Sequence, residues 1–196
     1  MKAKGIYLFL LILLPVLIFL FLKGFGKNQF DIPVLYPNGV IDTLEQVSCI
    51  DRSPGQYIAK APELELGVVK IIQFEETDGP VLKTRLEELE KVQDIFYKNP
   101  KMQLTTFLNS ASIQASSISN YNRRIIFLDD FWKFQELDSA TWSSLKSCAL
   151  IMTELDNRVV LVDAENKIRG YYNIMEREET DRLILELRIL QSKEND

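Results

Sequence analysis

Three carboxylates stand close together where a strongly apolar stretch ends: Glu75, Glu76 and Asp78. Carboxylate oxygens are ligands for hard cations such as Mg²⁺ and Ca²⁺, so this cluster could form a small cation site. The competing interpretation is that acidic side chains just before a helix complement the positive end of its dipole. We favour the dipole interpretation and predict no metal site and no bound cofactor here.

Two cysteines, Cys49 and Cys148, lie far apart, and the chain contains no histidine. These facts exclude Ser-His and Cys-His catalysis as well as imidazole-zinc sites. The cysteines could form a disulfide in an oxidising compartment, or they could be two buried, inert thiols. A Cu(I) site built from them and nearby methionines is chemically allowed, but nothing in their spacing supports it.

An aromatic cluster occurs beside acidic residues at Phe131, Trp132 and Phe134. Clustered aromatic side chains often anchor a protein partner, so these three residues are a candidate partner surface. Packing in the core is the commoner role of such residues. Tyr171 and Tyr172 are adjacent on a predicted strand, so they should face opposite sides of the sheet.

The elements around the acidic turn form a predicted strand-helix-strand unit. Residues 67–74 are apolar almost throughout, which is typical of a strand covered on both faces. Pro80 suits the first position of a helix, and leucines then recur at helical spacing up to Tyr97. Residues 102–108 form the next strand, which we expect to run parallel to the first.

The rest of the chain predicts an α/β domain with a mixed central sheet and flanking helices. A turn signal at 53–55 predicts a β-hairpin extension formed by the sequence on either side. The serine-rich segment 109–122 could be a polar helix or a loop. The remaining predicted elements are a short helix over 138–150 begun by Asp138 or Ser139, antiparallel strands at 159–163 and 168–173, and an amphipathic helix over 178–190.

The N-terminus carries an unbroken apolar run over residues 6–22, with lysines on both sides. Such a run just crosses a hydrocarbon core, and no pair of small residues follows it at the spacing that signal peptidase needs. We therefore predict a single-pass anchor over a cleaved signal peptide. The predicted organisation is an anchor over 1–27, an extended tether over 28–43 and one domain over 44–196.

The net charge is −5, and basic residues are scattered among more numerous acids. Nucleic acid is therefore not an expected partner. The short basic N-terminus favours an orientation with the domain outside a bacterial inner membrane, in the periplasm. The oligomeric state is left open by the sequence.

The sequence resembles the Sco/SenC family, which are membrane-anchored, thioredoxin-like proteins that deliver copper to cytochrome c oxidase. The resemblance rests on the anchor, the tether FDIPVLY, the strand-helix-strand unit and the ending VVLVDAENKIRGYYN…EETDRLILELRIL. It implies a thioredoxin-like fold. It is most specific in the last third of the chain.

The resemblance also implies a copper site whose ligands are missing. The family carries Cys-x-x-x-Cys-Pro after its first central strand, and placing Pro80 on the motif proline puts Glu75 and Gly79 at the cysteine positions. The family's histidine ligand falls on Leu155. One hard carboxylate does not replace soft thiolates for Cu(I), and no thiol remains at the helix N-terminus for redox exchange.

The sequence therefore favours a non-catalytic accessory or assembly protein, with a respiratory cytochrome c oxidase complex as the expected membrane-protein partner. One alternative is a copper metallochaperone or thiol-redox protein that uses Cys49 and Cys148. A second alternative is a periplasmic interaction module unrelated to respiration, because a fold does not fix a function.

Overall fold

The computed structural model describes residues 11–21, 32–40, 48–76, 79–113, 131–152 and 158–193. The chain forms two units, Met1–Asp31 and Ile32–Asp196. In the first unit, residues 11–21 are helical and their side chains are exposed. Within the described ranges no helix combines the length and apolarity that crossing a membrane requires. Most of the predicted anchor lies outside these ranges and stays a prediction.

The second unit contains one five-stranded sheet in the order β3-β2-β1-β4-β5. β1 pairs in parallel with β2, and β2 pairs in parallel with β3. β4 runs antiparallel to β1, and β5 runs antiparallel to β4. The strands are β1 Val69–Glu75, β2 Met102–Asn109, β3 Trp132–Leu137, β4 Arg158–Val162 and β5 Ile168–Asn173.

In the described part of the second unit, a helix follows each of three strands, β1, β3 and β5. α1 spans Pro80–Phe96 and begins with the proline at its N-terminus, as the sequence predicts. α2 spans Ser139–Ser144 and continues as a π-helical turn over Leu145–Ala149. The Asp138 carboxylate caps α2 by accepting from the backbone N–H groups of its first turn. α3 spans Arg177–Lys193 and closes the domain.

The core consists of two apolar clusters, and each contains some of the buried side chains of the sheet. Val69 and Ile71 belong to the cluster that also contains the buried leucines of α1 and α3. Ile72 and Phe74 belong to the other cluster, with Val40 and the buried residues of α2 and of the 48–64 segment. Successive side chains of a strand point to opposite faces, so the two clusters cover the two faces of β1. Every residue of β1 is buried, which confirms the prediction of a doubly covered strand.

Most predicted elements are confirmed with small shifts of their ends, including α1, β2, α2, β4, β5 and α3. Tyr172 is fully buried in the first cluster, while Tyr171 packs against the second. Residues 32–40 lie against the domain as expected, since the Leu35 N–H donates to the Ile168 carbonyl at 2.8 Å. The serine-rich segment makes a turn at 110–112 and otherwise lies outside the described residues from 114 onward.

The predicted β-hairpin around residues 53–55 is wrong for the residues that the structure describes. Residues 48–64 form turns and bends without a strand. Their backbone hydrogen bonds go to distant parts of the chain: the Tyr57 N–H donates to Tyr36 and the Ala59 N–H donates to Asn166. The segment is therefore held by the rest of the domain rather than by a partner strand of its own.

Candidate functional site

The turn between β1 and α1 places a carboxylate beneath the helix. Glu75 is the last residue of β1 and its side chain has no solvent exposure. Arg85, on the second turn of α1, donates from Nη1 to Glu75 Oε2 at 2.6 Å. The amide of Gln73, two residues earlier on the same strand face, donates to the other carboxylate oxygen. Glu75 is thus an internal side chain with two protein partners.

Burial raises the pKa of Glu75 to about 7. The positive charge and hydrogen bond of Arg85, the charge of Lys146 and the hydrogen bond of Gln73 all act in the opposite direction. Desolvation outweighs these attractions because a buried carboxylate loses its hydration on ionising. The carboxyl group therefore exchanges a proton near neutral pH while it stays next to the Arg85 guanidinium.

Neither interpretation of the acidic cluster describes Glu75. Its charge pairs with Arg85, and the first turn of α1 carries no acidic residue for the helix dipole. Glu76 points to solvent, and Asp78 lies outside the described residues. In the described part of the chain, no group of three or more cysteine, aspartate or glutamate side chains is arranged to share a metal ion.

The backbone at Gly79 has a conformation that suits glycine and would strain a cysteine. Gly79 precedes α1 with φ 124° and ψ −164°, a conformation that residues with a Cβ rarely adopt. A cysteine here would strain the backbone or change the turn. Leu155, at the position of the third ligand in the resembled family, lies outside the described residues.

The two cysteines are joined. Cys49 and Cys148 form a disulfide with a Cα–Cα distance of 5.4 Å across a sequence separation of 99. This confirms the disulfide and excludes two free, inert thiols. Cys49 is exposed on a turn, whereas Cys148 is partly buried in the π-helical turn after α2.

The disulfide lies in the wall of a cleft of about 610 Å³ between the 49–63 segment and α2 with its π-helical turn. The Tyr57 hydroxyl donates to the carbonyls of Cys148 and Ala149, both at 3.0 Å. Burial raises the pKa of Tyr57 to about 12, so the phenol remains a donor at neutral pH. The cleft also exposes Ile58, which is 41% accessible.

A charged pair lies at the cleft. Lys60 Nζ donates to Asp51 Oδ2 at 3.0 Å. Hydrogen bonds from the Ser53 hydroxyl and from Lys60 lower the pKa of Asp51 to about 2. The cleft therefore combines an apolar side chain, a carboxylate, an ammonium group and a disulfide.

The aromatic cluster is part of the core. Phe131 and Trp132 are 3% and 1% exposed, and the Trp132 indole donates to the Thr106 hydroxyl at 2.9 Å. Phe134 stacks on Trp132 at 5.2 Å between ring centroids and is partly buried. The expected partner surface is corrected accordingly, because Phe131 and Trp132 are buried and Phe134 packs partly buried against the core. Trp132 and Phe134 belong to the edge strand β3, which the sequence did not predict.

The order of elements and strands defines a thioredoxin-like domain. β1-α1-β2 provides the parallel half, and β4-β5-α3 provides the antiparallel half. No family model matches the sequence, and no curated protein is similar to it at a significant level. Several solved structures align with the chain.

A putative electron transfer protein from Aquifex aeolicus aligns with 18% identity and a TM-score of 0.50, over 64% of this chain and 82% of that chain. A putative protein disulfide isomerase from Bacteroides thetaiotaomicron aligns with 17% identity and a TM-score of 0.48, over 64% and 74%. Bradyrhizobium japonicum ScoI with copper bound aligns with 16% identity and a TM-score of 0.46, over 63% and 85%. At 18% identity, the similarity to the Aquifex aeolicus protein shows a shared fold and does not assign an activity to this chain.

Proposed function

We propose that the protein is a divergent Sco/SenC-like protein that acts as a non-catalytic accessory or assembly factor for a membrane-protein complex. The expected partner is a respiratory cytochrome c oxidase. The observation that supports this most is the β1–α1 turn. There, a buried Glu75–Arg85 pair and a glycine with φ 124° occupy the region where the resembled family carries its thiols.

This turn suits a structural role better than thiol or copper chemistry. A reactive thiolate at a helix N-terminus gains its lowered pKa from that position, but the sequence places both of its cysteines elsewhere. Cu(I) prefers thiolate and thioether ligands. Glu75 instead offers two hard carboxylate oxygens, each of which already accepts a hydrogen bond. Function would then depend on a binding surface.

The disulfide supports an extracytoplasmic location. Disulfides persist in oxidising compartments such as the periplasm and are rare in the cytosol. Together with the apolar N-terminal run, this favours a domain held at the outer side of a bacterial inner membrane by a single-pass anchor. Fractionation of cells followed by alkylation of free thiols before denaturation would test both parts of this proposal.

A second candidate function is favoured by one observation, the exposure of Cys49 beside a cleft. In this alternative, Cys49 and Cys148 would carry copper or thiol-redox chemistry. A competition titration with Cu(I) and a chelator distinguishes the two candidates, using the reduced full-length protein in detergent and the Cys49→Ser/Cys148→Ser variant. The accessory-protein proposal predicts no tight binding by either protein. Tight binding that is lost in the variant would support a metallochaperone.

The test of the proposed function is genetic and biochemical. Deletion of the gene in its native host should lower assembled oxidase, measured as oxidase activity and as the complex on native gels. The wild type and the cysteine-free variant should both restore it when immunoblots show equal amounts of the two proteins. Normal oxidase levels in the deletion strain would contradict the respiratory role and leave an interaction module unrelated to respiration.

A further inference from the structure

We propose that the Cys49–Cys148 disulfide is a thiol–disulfide exchange site, at which a dithiol reduces the bond and releases the 49–63 wall of the cleft from α2. The position of the disulfide and the contacts around it support this proposal. It does not depend on the proposed function, since an accessory protein can be the substrate of a dithiol reductant.

The two cysteine residues differ in exposure. Cys49 lies on a turn with an exposed side chain, while Cys148 lies in the π-helical turn and is partly buried. Exchange requires an attacking thiolate to reach one sulfur with the other as the leaving group. The cleft of about 610 Å³ beside the disulfide provides room for an incoming thiol. Both cysteines line the cleft, and Cys49 is the more exposed residue, so we expect the incoming thiolate to attack Cys49.

The exchange proceeds in two balanced steps. A thiolate of the dithiol attacks Cys49 Sγ, the bond between the two cysteine sulfurs breaks, and Cys148 leaves as a thiolate that takes up a proton. The second thiolate of the dithiol then attacks the first sulfur of the same dithiol, which is bonded to Cys49 in the mixed disulfide. Cys49 leaves as a thiolate and is protonated in turn. The chain gains two electrons and two protons, and the dithiol becomes a disulfide.

The released segment has other contacts that keep it on the domain. Residues 48–64 contain no strand, so the disulfide is their covalent link to the helix that follows β3. Without it, the Tyr57 hydroxyl still donates to the carbonyls of Cys148 and Ala149. The side chains of Ile50, Ala59 and Leu64 are also buried in the second apolar cluster. Reduction should thus loosen the cleft locally while the sheet stays folded.

Hydrogen exchange with mass spectrometry tests this on the full-length protein in detergent, before and after treatment with dithiothreitol. After reduction we expect residues 48–64 and 139–149 to exchange roughly tenfold faster than before, while β1 and α1 remain the most protected segments, because local openings draw on few contacts. A bond that resists dithiothreitol until the whole domain unfolds would overturn the proposal. Loss of protection in β1 and α1 down to the level of residues 48–64 would do the same, since reduction would then open the domain as a whole.

A second measurement identifies the sulfur that is attacked. The native protein is incubated with glutathione, quenched in acid and mapped by peptide mass spectrometry. We expect the glutathione adduct on Cys49 in the wild type, and an adduct mainly on Cys148 would overturn the assigned direction.

The Tyr57→Phe variant is the matched control. It keeps the disulfide but loses the hydroxyl that holds the two carbonyls. It should exchange like the wild type when oxidised and faster than the wild type when reduced. Equal exchange of the two reduced proteins would contradict the role given to Tyr57 in keeping the released wall in place.

Discussion

The β1–α1 turn and the disulfide cleft lie on opposite faces of the sheet and are held together by different kinds of interaction. At the turn, Glu75 and Arg85 form an ion pair whose side chains are 0% and 13% exposed. At the cleft, a covalent bond joins the exposed Cys49 to the helical segment 99 residues later. The turn is thus held together by a buried ion pair, and the two walls of the cleft are joined by a disulfide whose Cys49 residue is exposed.

This difference separates the position of a site from its chemistry. A thioredoxin-like domain offers the end of its central strand and the start of the next helix as a place for reactive groups, but here that place is filled by a buried, hydrogen-bonded carboxyl group. The disulfide lies on the other face. Substitutions at the turn and at the cleft should show whether the turn is structural and whether the cleft is the labile region.

The largest effect is expected from removal of the Arg85 side chain. Arg85→Ala leaves Glu75 buried beside Gln73 without its cationic partner, and breaking a buried pair from one side costs about 3–5 kcal/mol. Denaturant unfolding at pH 8 measures this loss. The loss should be smaller at pH 5, where Glu75 is protonated. A loss below about 1 kcal/mol at pH 8 would show that the pair is not structural.

The next effect concerns the cleft. Cys49→Ser/Cys148→Ser removes a link that closes a loop of 99 residues, so the free energy of unfolding should fall by about 2–4 kcal/mol. Denaturant titration of the variant against the oxidised wild type measures the change. The reduced wild type should fall by a similar amount, which controls for the serine substitutions. An unchanged stability would mean that the other contacts of the 48–64 segment hold the cleft without the disulfide.

A pH dependence should distinguish the turn from the cleft. The pKa of Glu75 is raised from 4.5 to about 7 in the folded protein, so the native state binds more protons than the unfolded state between these values. Stability should therefore decrease as pH rises from about 4.5 to 7, by up to ~3 kcal/mol. Unfolding measured at intervals across this range should show the slope.

Glu75→Gln should abolish this slope, because the amide does not titrate. Glu76→Gln is the matched control, since Glu76 is the exposed neighbour of the same type and should keep the slope of the wild type. A slope that persists in Glu75→Gln would assign it to another group. The shift at Asp51 does not interfere, because its pKa is lowered to about 2, below this range.

The elements around the turn could be predicted because their signals are local. Residues 69–75 are apolar enough to mark a covered strand, and Pro80 marks the helix start. The partner of Glu75 was missed, although the sequence carries a signal for it. Arg85 lies between Leu82 and Leu86, so it shares the buried face of α1. A charged residue on an apolar helix face, ten residues after a carboxylate that ends a buried strand, indicates a buried pair.

The cleft and β3 could not be predicted in the same way, since they depend on contacts between distant segments. The two cysteines of the chain indicate a candidate disulfide, but the sequence does not show that the 48–64 segment packs against α2 around it. β3 lies at the edge of the sheet, and four of its six residues are exposed or partly exposed, three of them polar. Its aromatic residues therefore resembled a surface cluster.

The smallest expected effect concerns the helix that carries Cys148. Asp138 Oδ1 accepts from the N–H groups of Ala140 and Thr141 at 3.0 and 3.1 Å, and Oδ2 accepts from the Thr141 hydroxyl at 2.6 Å. These hydrogen bonds, with that of the Thr141 hydroxyl the strongest, lower the pKa of Asp138. Asp138→Ala removes the N-cap of α2 and should lower Tm by about 2–4 °C.

Asp138→Asn is the control for the cap, because an asparagine side chain still accepts from the helix N–H groups and should keep most of the wild-type Tm. The informative comparison is between redox states. The disulfide and the Tyr57 hydroxyl both attach to the π-helical turn that continues α2. Reduction removes one of these two restraints, so the cap should matter more in the reduced protein than in the oxidised protein. Calorimetry of Asp138→Ala in both states measures this. Equal Tm losses would mean that the disulfide does not restrain α2, and the contrast between a rigid turn and a releasable cleft would then fail.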